Sequence, residues 1–142
     1  MVELAANDGA KGLILECAFA SLPRLIQHHA RGLPADWLVS SKFDSLSKIQ
    51  RYAGPLLICH GSEDCLIPFE HAELLFDAAN PPKQLVPIPA AGHRYPPSDE
   101  YHRVLDEWLT ICRRVRITDS EQAHDLGAKA CLSKPFHRVA AA

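Results

Sequence analysis

Gly54-Pro-Leu-Leu-Ile-Cys-His-Gly-Ser-Glu-Asp64 is the stretch whose reading decides the fold. An apolar run opened by Gly-Pro and closed by His60-Gly61 has the pattern of a buried parallel strand, and it ends in a sharp turn carrying a carboxylate. Further along, Ala90-Ala91-Gly92-His93 follows a second strand-like run. A carboxylate and then a histidine, each past the carboxyl end of a strand, match the last two members of a relay in the chain order Ser, Asp, His.

Working outward toward the amino end, Met1 to Ala6 reads as the tail of a helix stopped by Asn7-Asp8-Gly9, and Gly12 to Cys17 as a buried strand. A helix so short before the first core strand reads as one cut into rather than started. Ser21 is placed to cap a helix whose Leu22, Leu25, Ile26 and Ala30 recur at helical spacing, with Gly32 and Pro34 ending it. Leu33 to Gln50, holding Trp37, Leu38, Phe43 and Leu46, is long for a plain crossover. Two readings stand: a helical flap over a pocket, and an elaborate crossover packed on the sheet.

Toward the carboxyl end, Pro68 suits a first helical turn, and Phe69, Ala72, Leu75, Phe76 and Ala79 form one apolar face stopped by Asn80-Pro81-Pro82. Gln84 to Pro89 is strand-like, and Pro87, lacking a donor, sends it to a sheet edge. Ser98 caps a helix with Asp99 and Glu100 in its first turn. Its expected buried stripe is Tyr101, Val104, Leu105, Trp108, Leu109 and Cys112, with Arg113 and Arg114 at its end. Strands alternating with helices predict an α/β fold with about three parallel core strands joined by crossover helices. The Gly12 to Cys17 strand is left with an open neighbour position.

Composition narrows the function classes. With 142 residues, 47% of them hydrophobic, the chain is expected to form one domain with a real core. A net charge of -2 without a basic block gives no footprint for nucleic acid or an anionic membrane. The first residues lack the pattern of a signal peptide, and no apolar run has the length of a membrane span, so a soluble protein is expected. Cys17, Cys59, Cys65, Cys112 and Cys131 are odd in number and include no C-x-x-C, which argues for a reducing cytoplasm over a disulfide scaffold or a structural zinc site. The adjacent His28 and His29 would diverge on a helix and make a poor ligand pair. No metal and no cofactor is expected.

A hydrolytic relay needs an oxygen nucleophile, an imidazole to take its proton, and a carboxylate that fixes the imidazole's tautomer. Asp64 and His93 stand in the right order for the last two roles. Each also has a plainer reading: an Asp after His-Gly serves as a turn residue accepting backbone N–H bonds, and a Gly-His as a loop histidine. Their joint occurrence after successive strands favours the relay.

With Leu13-Ile-Leu-Glu16, Phe43-Asp-Ser-Leu46, Pro55 to Asp64, Ile67-Pro68 and Gly92-His93, residues 1–112 resemble the C-terminal part of α/β-hydrolase-fold serine hydrolases. The likeness is to the branch of depalmitoylase-like thioesterases, esterases and serine aminopeptidase-like members. It implies Asp64 as relay acid, His93 as relay base, residues 21–50 as a short cap over an acyl pocket, and a small-molecule or acylated substrate. The family's nucleophile sits in a Gly-x-Ser-x-Gly elbow before the first strand seen here, and that motif occurs nowhere in the sequence. By the elbow's geometry the serine would fall about ten residues before Met1. Ser62 in the acid turn, and Ser21 and Ser45 in the cap-like segment, are poor substitutes.

Residues 113–142 form a tail of uncertain structure. Ile117 to Phe136 is similar to the end of response-regulator receiver domains, which would match Lys134 to a phosphate-sensing lysine, although those domains' acidic pocket has no counterpart here. An accidental helix-strand tail explains it equally well. The expectation is a serine-hydrolase part, inactive alone for want of its nucleophile. The alternative is a non-catalytic binding module that self-associates or pairs with another chain through its open sheet edge.

Overall fold

The computed structural model describes residues 2–7, 10–34, 39–96 and 98–122, with side chains described through Arg113. Trp37, Leu38, Cys131 and Lys134 lie outside the described residues, as does most of the receiver-like stretch.

The chain runs through α1 (Val2–Asn7), β1 (Leu13–Glu16), α2 (Leu22–His29), α3 (Ser45–Ile49), β2 (Leu56–Gly61), α4 (Glu70–Ala78), β3 (Lys83–Ile88) and α5 (Asp99–Gln122). The three strands form one parallel sheet in the order β1-β2-β3, with Leu13 opposite Leu56 and Leu56 opposite Lys83. All six residues of β2 are buried, as its unbroken apolar run requires of a central parallel strand covered on both faces. Pro87 lies on β3, an outer strand among the described residues, paired in register with His60. Only one side of its backbone needs to join the ladder there. This is part of an α/β-hydrolase fold.

One face of the sheet carries the larger core. Leu13, Leu15, Leu56, Ile58 and Leu85 pack there with Val2 and Ala5 of α1, Ile49 of α3, and Ala72 and Leu75 of α4. Lys83 closes the end of α4, its Nζ donating to the carbonyls of Phe76 at 2.6 Å and Ala79 at 2.9 Å, where a cation suits the helix's negative end. On the other face Leu57, Cys59 and Val86 meet Trp108 of α5. Gly12 admits the Trp108 ring, since a Cβ there would come within 2.6 Å of it.

Several expectations are corrected. Leu109, placed in the buried stripe of α5, is exposed; it sits about 100° around the helix from Trp108 and leaves the sheet-facing side. The helix does not end at Arg113 and Arg114 but continues to Gln122, because neither Gly nor Pro interrupts the sequence before Gly127. Ser21 precedes α2 without a side-chain cap bond; Pro23 in the first turn has already removed one of the orphan N–H groups. Leu22, Leu25 and Ile26 of α2 are only half buried, whereas α3 packs against α1 and α4 with Ile49 fully inside. Asp44 caps α3, its Oδ1 accepting from the Ser47 N–H at 3.1 Å.

Candidate active site

β2 ends at Gly61, and the chain turns at once to bring Asp64 back beneath the strand end. The Asp64 side chain is fully buried. Its Oδ1 accepts the backbone N–H groups of Leu66 at 2.9 Å and Ile67 at 2.8 Å. The turn reading therefore applies to this residue through Oδ1, while Oδ2, 3.4 Å from Nε2 of His60, faces the second imidazole that the relay reading requires. Asp64 Oδ2 lies 2.9 Å from Nδ1 of His93. Asp64 is ionised in this pairing, so it accepts and Nδ1–H donates, which leaves the Nε2 lone pair of His93 open as a base.

Burial by itself pushes the Asp64 carboxyl up, but the amides of Ile67 and Leu66 together with His93 outweigh it and hold the group below its usual 3.8. The acid is thus kept charged, the state in which it stabilises an imidazolium on His93.

The loop after β3 reaches this position because it is laced to the acid turn. Ser62 N–H donates to the Ile88 carbonyl at 3.0 Å, Glu63 N–H to Ala91 at 2.9 Å, and Ala90 N–H to the Ser62 hydroxyl at 3.0 Å. Gly61 makes this possible: a Cβ there would collide with the backbone carbonyls of Ala91 and Gly92. Ala90 takes a left-handed conformation, φ 53°, in the turn that ends the strand.

Two further groups were not singled out by sequence reasoning. His60 is fully buried on β2, and its Nε2 lies 2.7 Å from the Ile67 carbonyl. A carbonyl only accepts, so Nε2 carries the hydrogen, and Nδ1 is left without a partner. The imidazole thus closes the loop that Asp64 holds from the other side. Cys17 stands at the carboxyl end of β1 with φ 43° and is buried. Burial raises its thiol above the usual 9.0, and the neighbouring Asp64 adds to the effect, so it is a neutral S–H beside the carboxylate. The available signal was position: ligand sites of open parallel sheets lie at the carboxyl ends of strands, and Cys17, Asp64 and His93 each follow one. Sγ of Cys17, a carboxylate oxygen of Asp64 and a ring nitrogen of His93 lie within 4.8 Å of one another. A shallow apolar hollow lined by Pro55, Pro82, Gln84, Trp108 and Ile111 opens at the opposite, amino end of the strands.

Fold and geometry together define a partial α/β-hydrolase scaffold with an Asp–His pair at the carboxyl edge of its sheet. No family model matches the chain. It is 31% identical over 104 residues to the uncharacterized protein YfhR of Escherichia coli (strain K12), a match covering 72% of this chain and 36% of that protein. It is 37% identical over 51 residues to alpha/beta hydrolase domain-containing protein 17B of Homo sapiens, covering 36% of this chain and 18% of that one. The esterase domain of a Rhodothermus marinus protein superposes with a TM-score of 0.58 at 23% identity, covering 80% of this chain and 54% of the domain. The chain thus spans about a third of the length of the relative matched over most of it. Among the described residues no helix is long and apolar enough to cross a membrane.

Proposed function

We propose that this chain carries the acid and base of a serine-hydrolase relay, Asp64 and His93, and is the C-terminal part of an enzyme cleaving ester, thioester or amide bonds. The observation that carries the reading is the 2.9 Å contact between Asp64 Oδ2 and His93 Nδ1. It joins two strand-end loops in the geometry that leaves Nε2 free to take a nucleophile's proton. The likeness to the esterase domain and to alpha/beta hydrolase domain-containing protein 17B supports the reaction class. Within the segment 21–50, α2 supplies a short cap over the acyl site, tied to the acid turn by the 2.7 Å contact between His29 Nε2 and the Leu66 carbonyl, whereas α3 packs into the core. Asp64 and His93 can polarise a water but form no acyl-enzyme without the hydroxyl of an elbow serine. The chain alone is therefore inactive. Incubated with a fluorophosphonate probe, it stays unlabelled, whereas a version extended to include an in-frame Gly-x-Ser-x-Gly labels at that serine. Strong labelling of the 142-residue chain would overturn the proposal.

A second reading, a binding module, is favoured by the outer edge of β1, which has no strand partner among the described residues. An unpaired edge is a template for another chain. Monomeric behaviour at high concentration in size-exclusion chromatography would remove this reading.

A further inference from the structure

Cys17, Asp64 and His93 come from the ends of three different strands, and together they supply one sulfur, one oxygen and one nitrogen donor within 4.8 Å of one another. We propose that they form a binding site for a thiophilic divalent cation of the zinc class, bound by Cys17 Sγ, Asp64 Oδ2 and His93 Nδ1 with a fourth position open to solvent.

The donor set is the first argument. Thiolate, imidazole and carboxylate are the side chains that bind zinc, and three protein ligands with an open position are the pattern of exposed zinc centres. The outer contacts are the second. The Oδ1 atom of Asp64 is already held by the Leu66 and Ile67 amides, so Oδ2 is presented in a fixed direction, with Nε2 of the buried His60 3.4 Å from it. Such outer-shell bonds orient and tune metal ligands.

Backbone geometry is the third argument. Cys17 holds a left-handed conformation, φ 43°, that a non-glycine residue adopts only under strain, and such strain clusters at ligand clamps and active sites. Bonds of about 2.0–2.3 Å put tetrahedral ligand atoms about 3.3–3.7 Å apart, so closure needs a movement of about an ångström at most. His93, with 36% of its side chain exposed, is the partner free to make that movement and lies on the approach path from solvent. On binding, the Cys17 S–H bond breaks, its proton leaves to solvent, and a sulfur–metal bond forms. His93 gives up its Nδ1 hydrogen bond to Asp64 and carries its proton on Nε2. In the relay proposed above, the ion occupies the place of the Nδ1 proton, so a loaded site is a silenced one. The binding inference itself stands on the donor geometry and on no proton transfer between Asp64 and His93.

Cobalt(II) tests the site directly, because a cobalt–thiolate bond gives a charge-transfer band in the near ultraviolet. Titration of the full chain is expected to give that band, saturating at one equivalent. Cys17→Ser is expected to abolish it, and His93→Ala to weaken binding by about a hundredfold. Replacing His28 with Ala should leave the band unchanged. Circular dichroism of each variant checks that it remains folded; His93, on a partly exposed loop, gives the arm least exposed to misfolding. No cobalt binding, binding without the band, a band that survives Cys17→Ser, an affinity unchanged in His93→Ala, or loss of the band in His28→Ala would each overturn the proposal. Because the readout is spectroscopic and needs no serine, failure of the fluorophosphonate experiment leaves it untouched.

Discussion

Asp64 and His93 are the two ends of one hydrogen bond, and the molecule holds them in opposite ways. The acid is buried, its Oδ1 fixed by two amides and its loop closed by His60. The base stands on a loop with 36% of its side chain exposed, and that loop is held to the acid turn by bonds from Ser62, Glu63 and Ala90. The difference teaches a division of labour. Asp64 is a structural element of its turn that also carries charge, whereas His93 is an accessible imidazole positioned by that turn, the arrangement the proposed relay calls for. A relay benefits from a fixed carboxylate and an accessible imidazole, since the imidazole alone must meet a nucleophile.

The largest effect that would break the comparison is loss of the acid. Asp64→Ala removes the acceptor of two backbone N–H groups, and at a buried turn roughly 2–4 kcal/mol of stability should go with it. Urea denaturation measures this. Asp64→Asn keeps an acceptor oxygen in the same place and should lose distinctly less. Equal losses for Ala and Asn would show that the turn does not depend on Oδ1, and the description of the acid as structural would fall.

Next in size is Gly61→Ala, which attacks the lacing between the two regions. The added Cβ meets the carbonyls of Ala91 and Gly92, backbone atoms that cannot swing aside. Overpacking of this kind costs about 1–3 kcal/mol. The distinctive expectation is that the loop after β3 moves away from the acid turn, so the His93 ring resonances lose their coupling to the Asp64 titration in NMR. A variant that is destabilised but keeps that coupling would show that the base loop is positioned by something other than Gly61.

How much of this was legible in the sequence follows from which interactions are local. The unbroken run Leu56 to His60 announced a strand buried on both faces, and Pro87 announced an outer strand, because each rests on a rule about a single segment. Asp64 and His93 were found by order and by position after strands, and the 2.9 Å contact brings them together. Cys17 was passed over because its importance is not local. Only parallel registration of β1 on β2, Glu16 opposite Cys59, sets it beside Asp64. The course of α5 past Arg113 was missed because cationic residues favour a helix end without enforcing one. Leu109 was misplaced by widening an apolar stripe that only Trp108 fills deeply.

The smallest expected effect concerns the base itself, and its sign with pH is what gives it force. Asp64 has a folded pKa below its ordinary value, so its contribution to stability is present above the unfolded value of about 3.9 and is lost as pH falls through the folded one. Part of that lowering comes from His93. In His93→Ala the folded pKa of Asp64 therefore moves up toward the unfolded value. The variant should be less stable than the parent by under about 1 kcal/mol at neutral pH, because the lost group is partly exposed to water. That difference should shrink toward zero as the pH drops below the parent's folded pKa, where the carboxyl is protonated in both proteins. Stability curves of the two proteins measured from pH 7 to about pH 2.5 provide the check. A penalty that stays constant across the range would mean that His93 contributes by packing rather than through the Asp64 carboxylate, and the base would then be as structural as the acid.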